Sequence, residues 1–175
     1  DPDPDPDPDP NPPPEVENVF PFKIHNGINF WKRANWGVGT LQRNMTYGVR
    51  SDGTNHYGYD IGGGGVNHTI YSVTNGKVIQ AKYANGIGYH LTIENDDDEY
   101  FLQYGHLKEF LVSAGDEVNA GDPIAIMGDT GGNYAIHLDL KISTDPNNFY
   151  NWDTTIDPEK YLEVDRDNST KLPQP

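Results

Sequence analysis

The chain has 175 residues, with 27 acidic and 12 basic side chains for a formal net charge of −15. So few cations leave no surface that could displace counterions from phosphates, which excludes nucleic acid as a partner. No apolar run approaches the ~20 residues of a membrane-spanning helix, cysteine is absent, and 19 glycines with 11 tyrosines suit a turn-rich β domain better than a helical bundle.

Residues 1–14 read DPDPDPDPDPNPPP. Proline at every second place forbids helix and favours an extended polyproline II rod, which repulsion between the aspartates stiffens. At ~3.1 Å per residue this spacer reaches roughly 40 Å. We read it as a stalk to upstream domains of a longer chain. The lack of an initiator methionine and of a signal peptide is expected of a fragment or processed product. Residues 15–48 are irregular and aromatic (Phe20, Phe22, Phe30, Trp31, Trp36) and are expected to wrap the main domain. That domain is placed at 49–165, with a C-terminal tail at 166–175.

Within 49–165 the punctuation is that of short strands. β-rich runs at 70–73, 77–82, 89–94 and 100–106 are separated by Asn75-Gly76, Asn85-Gly86 and the acidic stretch 95–98. Residues 107–110 read as one helical turn. Strands are expected again at 116–118, 123–128 and 136–142, and Asp157-Pro158 opens a closing helical turn over 159–162. The fold class is therefore mainly β: an antiparallel β-sheet/barrel-sandwich hybrid core with little helix.

Three histidines stand in chemically suggestive contexts. His56 and Asp60 are four apart, but the glycines at 62–65 argue against helix. On a straight strand their side chains would share a face ~13 Å apart, too far for one ion; Gly58 between them permits a bend that joins them. In the run Ala135 to Lys141, strand alternation puts His137 and Asp139 on one face, with Ile136, Leu138 and Leu140 opposite. A polar pair of this kind fits a lined cleft or, taken alone, a solvent-facing edge. His106 closes the run Gln103-Tyr104-Gly105-His106, a context that alone also suits a buried structural histidine.

The order of the motifs carries more than any one of them. Gly58-Tyr59-Asp60, Asn75-Gly76-Lys77-Val78, Tyr104-Gly105-His106-Leu107, Ala114-Gly115-Asp116-Glu117-Val118, Gly121-Asp122-Pro123-Ile124, Met127-Gly128-Asp129-Thr130-Gly131 and His137-Leu138-Asp139 follow one another. Over about 49–162 this series resembles the lysostaphin-like zinc endopeptidases, which cleave peptide bonds in bacterial peptidoglycan. The resemblance implies zinc ligands at His56 and Asp60 and catalytic histidines at His106 and His137. It implies the third ligand at Asp139, where the family carries histidine. Carboxylate is an accepted zinc ligand. Two carboxylates and one imidazole make a harder site that also tolerates Mn²⁺ or similar ions, with a weaker Lewis acid. The expected activity is metal-dependent hydrolysis of peptidoglycan peptides, with one histidine taking the proton of water and the other stabilising the oxyanion or protonating the leaving amine.

Other features invite weaker readings. His25, His68 and His90 lack partner motifs and read as structural or surface residues. The glycines at 62–65 lack the Lys-Ser/Thr of a phosphate loop, and the acidic stretch 96–99 lacks the ligand spacing of an EF-hand. Tyr47, Tyr57, Tyr59 and Tyr134 are candidates to line a substrate groove. A catalytically inactive relative, acting as a cell-wall-binding or structural module, is the main rival to the enzyme. A biotinyl/lipoyl carrier shares the Gly-Asp rhythm of 115–124 but needs a modifiable lysine at a hairpin tip, which Lys77 fits poorly. The expected setting is extracellular, on a virion tail as a phage tail lysin, or alternatively as a secreted bacterial autolysin.

Overall fold

The computed structural model describes residues 47–50, 52–62, 65, 67–96 and 100–161. The Asp-Pro segment, all but the last two residues of the aromatic segment, and the C-terminal tail lie outside them. The expected strands at 77–82, 89–94, 100–106 and 123–128 are present, because their alternating patterns find antiparallel partners that bury one face.

Among the described residues, β1 (Gly48–Val49) and β2 (Asn55–His56) form a small antiparallel ribbon. A nine-stranded sheet holds the rest: β3 (Tyr59–Gly62), β4 (Thr69–Tyr71), β5 (Gly76–Ala84), β6 (Gly88–Asn95), β7 (Phe101–Phe110), β8 (Glu117–Val118), β9 (Pro123–Met127), β10 (His137–Ser143) and β11 (Thr155–Ile156). Its main path runs β11-β10-β7-β6-β5-β8, with β3 on β10, β9 on β7 and β4 on β9. The closing helical turn is α1 (Pro158–Tyr161). The fold is nearly all β and antiparallel.

One expectation fails. Residues 107–110 are not helical, because β7 continues as a strand to Phe110 and pairs Leu107, Glu109 and Phe110 with Met127, Ile126 and Ala125 of β9. Leu-Lys-Glu-Phe has good local helix propensity, but a partner strand far along the chain satisfies its backbone and overrides that preference.

β10 positions the site. It is flanked by β7 on one edge and by β3 and β11 on the other, and all seven of its residues are buried. Leu138, Leu140 and Ile142 join Ile61, Leu91, Ile93, Leu102, Tyr104 and Leu107 in the core, where each Leu or Ile stabilises by roughly 1.5–3 kcal/mol. Strand alternation turns His137, Asp139 and Lys141 the other way. The buried phenol of Tyr104 accepts a hydrogen bond from the backbone N–H of Val73 at 3.0 Å.

β7 carries a bulge. Tyr89 pairs with Leu107 and Leu91 with Tyr104, so three steps on β7 oppose two on β6. A Cβ on Gly105 would collide with Ile87 Cδ1 and stand 2.9 Å from its Cγ1, so the Ile87 side chain would have to shift to admit one.

His90, on β6, is buried, and its Nδ1 donates to the carbonyl of Gly88 at 3.0 Å. Burial above all holds its imidazole below the ordinary 6.5, against the opposing effect of that hydrogen bond. A histidine with a depressed folded-state pKa contributes stability that is present above the unfolded value and lost as pH falls through the folded one. Urea midpoints taken from roughly pH 7.5 down to pH 5 should therefore fall less steeply for His90→Gln than for the parent chain. Equal slopes would contradict this.

Candidate metal centre

His56 ends β2 and Asp60 lies in β3, with the chain breaking between them at Tyr57-Gly58. That break does what a straight strand cannot: His56 Nε2 comes to 3.0 Å from Asp60 Oδ1. Gly58 is required there by close approach. A Cβ on it would collide with Asp139 Oδ1 and stand 2.9 Å from Lys141 Cγ and 3.0 Å from the Leu140 carbonyl.

The sheet register supplies the rest. Asp139 pairs with Asp60 on β3 and with Gly105 on β7, so two carboxylates and the neighbour of His106 meet across three strands. One ligand-type atom from each of His56, Asp60 and Asp139 lies within 4.8 Å of the others. All three residues are nearly sealed from solvent.

His106 follows Gly105 in the bulge and adopts φ 58°, the one non-glycine with positive φ among the described residues. Such a conformation is uncommon for a side chain of this size and clusters at functional positions. Here it aims the ring into the cleft. His106 Nδ1 donates to the Thr130 carbonyl at 2.8 Å, and His137 Nδ1 donates to the Ala135 carbonyl at 2.7 Å. Carbonyls only accept, so each neutral ring carries its proton on Nδ1 and leaves Nε2 as the base. Those two Nε2 atoms stand 3.9 Å from Asp139 Oδ2 and 4.0 Å from Asp60 Oδ1, respectively. The rings are 4.5 Å apart. Burial first, then the neighbouring His137, holds the His106 imidazole below its ordinary value, which favours the neutral, basic form.

Sequence reasoning missed Lys141. It is 2% exposed, its ammonium pairs with Asp139 Oδ2, and it lies 5.1 Å from the centroid of the Tyr150 ring. The signal was available, because the alternation that joins His137 to Asp139 extends to Lys141. Burial alone would push the Asp139 carboxyl up, but the Lys141 charge, and after it His56, hold it below the usual carboxylate range. Burial likewise opposes the Lys141 ammonium, and the Asp139 charge outweighs it. Both groups stay ionised.

Whether these residues suit a metal can be judged from one atom. Asp139 Oδ1 is buried without a hydrogen-bond partner, a costly state for a carboxylate oxygen. It faces the loop that brings in His56 and Asp60. A dication held by these three residues would satisfy it, with the imidazole-and-carboxylate donor set that zinc accepts. The residues fit the group.

A cleft of about 480 Å³ opens on this cluster, with Arg50, Tyr57, Ile87, Tyr134 and Tyr150 on its walls. Of the four tyrosines considered from sequence, Tyr57 and Tyr134 line it. Tyr59 is 2% exposed in the core, because the break at Gly58 reverses which face the next residue presents. Tyr47 donates instead to the Thr155 carbonyl at 3.0 Å and packs on Trp152. His68 and His90 are outside the cleft lining, and His25 lies outside the described residues, as do Gly63 and Gly64. Lys77 pairs within the sheet with Glu94 and Glu117 rather than sitting at a hairpin tip, which removes the carrier reading.

The model of peptidase family M23 matches residues 54–151. The chain belongs to peptidase family M23. Members of M23 are zinc-dependent endopeptidases of peptidoglycan, and the fold agrees with theirs. The catalytic domain of lysostaphin from Staphylococcus simulans superposes with a TM-score of 0.57 at 27% identity, covering 67% of this chain and 86% of that one. Glycyl-glycine endopeptidase ALE-1 of Staphylococcus capitis is 34% identical over 117 residues, 66% of this chain and 31% of that protein. The murein hydrolase activator EnvC of Escherichia coli is 40% identical over 58 residues, 33% of this chain and 14% of that protein. The M23 domain thus spans under a third of the curated relatives ALE-1 and EnvC.

Gly58 gives this geometry a direct test. Gly58→Ala should displace Asp139 and weaken zinc binding by at least tenfold in isothermal titration, as losses in a ligand's supporting shell do (about 10–100-fold). Unchanged affinity in a folded variant would show that the close packing at Gly58 does not set the position of Asp139.

Proposed function

We propose that this M23 domain is a metal-dependent endopeptidase that hydrolyses peptide bonds of bacterial peptidoglycan, with zinc held by His56, Asp60 and Asp139. The observation that carries this reading is the convergence of two histidine Nε2 bases on a buried imidazole-and-carboxylate cluster at the floor of an open cleft. Zinc in such a site supplies a Lewis acid and lowers the pKa of water towards neutrality. Two carboxylates harden the donor set, so Mn²⁺ is the second ion we expect it to accept.

His106 and His137 are the catalytic residues in this proposal. The Thr130 and Ala135 carbonyls fix both rings in the tautomer that leaves Nε2 unprotonated. One ring accepts the proton of the attacking water. The other, on receiving that proton from the ring 4.5 Å away, stabilises the developing oxyanion and delivers the same proton to the leaving amine as the C–N bond breaks. Tyr134, with its ring 4.5 Å from that of His106, and Tyr57, also in the cleft lining, present amphipathic faces to a peptide laid along the cleft.

The setting we propose is extracellular, on the bacterial cell wall. Residues 1–14 would act as a stalk to upstream domains, in a phage tail lysin or in a secreted autolysin. The rival is a catalytically inactive module that binds the wall. The likeness to a hydrolase activator and the carboxylate at position 139 favour it.

Digestion of purified peptidoglycans of several cross-bridge types, with zinc and with chelator, separates the two. The enzyme releases new amino termini only with metal, and Asp139→Ala abolishes both metal binding and release. His106→Gly should lower release by about 10²–10⁴-fold. Its fold should survive, since glycine removes roughly 1–2 kcal/mol of left-handed strain. No metal-dependent release from any of the walls would overturn the enzymatic reading.

A further inference from the structure

We infer that Lys141 is a positioning residue for the metal centre. It pins Asp139 through Oδ2, so that Asp139 presents Oδ1 alone towards His56 and Asp60. This rests on the reading of those three residues as metal ligands and deepens it.

The two oxygens of Asp139 have different surroundings. Oδ2 is taken by the Lys141 ammonium, with His106 Nε2 at 3.9 Å. Oδ1 is buried, lacks a hydrogen-bond partner and abuts the Cα of Gly58, in the loop between the other two ligands. A free carboxylate can rotate and can chelate an ion through both oxygens. This one is held in a single orientation, with one oxygen committed elsewhere.

Lys141 is itself fixed. Its stem packs against Gly58, its side chain is 3% exposed, and its ammonium lies 5.1 Å from the Tyr150 ring centroid in a cation–π arrangement. It stands two residues from Asp139 on the same strand face, in a strand sealed on both edges. Its side chain borders the cleft, but its ammonium is committed to Asp139 Oδ2 and almost sealed from solvent, so its effect on the centre passes through the carboxylate. It also offsets one of the two negative charges that His56, Asp60 and Asp139 bring together, which otherwise repel at close range in a dry site.

The test is a double-mutant cycle on zinc affinity, read by chelator competition on the whole chain and independent of any peptidase assay. Lys141→Met should raise the zinc dissociation constant by about 10–100-fold. The visible spectrum of the cobalt-substituted protein should change with it, because a released Oδ2 can enter the coordination sphere. Histidine at position 139 offers one ligand atom and has no second oxygen to restrain. In the Asp139→His background, therefore, Lys141→Met should leave affinity within about twofold, or improve it by removing a nearby cation.

A merely structural role for Lys141 would weaken zinc binding equally in both backgrounds, and that result overturns the proposal. So does an unchanged affinity in the Asp139 background. If circular dichroism shows that Lys141→Met does not fold, Lys141→Ser takes its place under the same criteria, since it removes the charge and is too short to hold Oδ2, while the space it leaves admits water. A parent chain that binds no zinc defeats the metal reading and this inference with it. Zinc binding without peptidase activity leaves the inference standing and defeats only the enzymatic reading.

Discussion

Asp139 and Lys141 stand two residues apart on β10, both nearly sealed from solvent, and each depends on the other to remain charged there. Removing either partner of such a pair costs about 3–5 kcal/mol, because the survivor is left as an uncompensated buried charge. The neighbouring elements are arranged around this contact. β3 runs beside β10 in the register that sets Asp60 opposite Asp139. β7 runs along the other edge with Gly105 at the same level, and its bulge delivers His106. The chain between β2 and β3 passes so close to the pair that only glycine fits at 58.

The site also holds His106 at an energetic disadvantage. His106 adopts a backbone conformation that costs of order 1–3 kcal/mol, and its imidazole is shifted away from the charged form by burial. Neither feature serves packing. Both serve a ring whose protonated nitrogen is committed to a backbone carbonyl and whose basic nitrogen faces the cleft. Sheet hydrogen bonds on both sides of the bulge, and the packing of Leu107 and Tyr104 in the core, supply the compensating stability.

Much of this was legible in the sequence, and what was missed has physical causes. The hairpin strands β5, β6 and β7 are marked by alternating patterns and by Asn-Gly or acidic turns, because hairpins are local. The join of His56 to Asp60 could be anticipated from Gly58, and the shared face of His137 and Asp139 from strand alternation alone. The strand at 107–110 was not legible, since its partner β9 lies some fifteen residues further on and local propensity points to helix. Tyr59 and Tyr57 look alike in sequence, and only the break between them sends one to the core and the other to the cleft. Arg50 and Tyr150 reach the cleft from outside the strands, where no alternation marks the face that a side chain takes. Lys141 is different: the alternation that joins His137 to Asp139 extends to it, but a lysine on a strand ordinarily reads as a solvated charge and so it was passed over.

The claim on which the account rests is that one imidazole and two carboxylates, the second restrained by a lysine, form a single metal centre. Anomalous diffraction at the zinc edge, from crystals of the domain grown with zinc, tests it most directly. The account predicts one strong peak within ~2.0–2.2 Å of a nitrogen of His56, one oxygen of Asp60 and Oδ1 of Asp139, with Lys141 still on Oδ2. A peak ligated by His106 or His137 in place of Asp139, or no peak between β3 and β10 at saturating zinc, would contradict it.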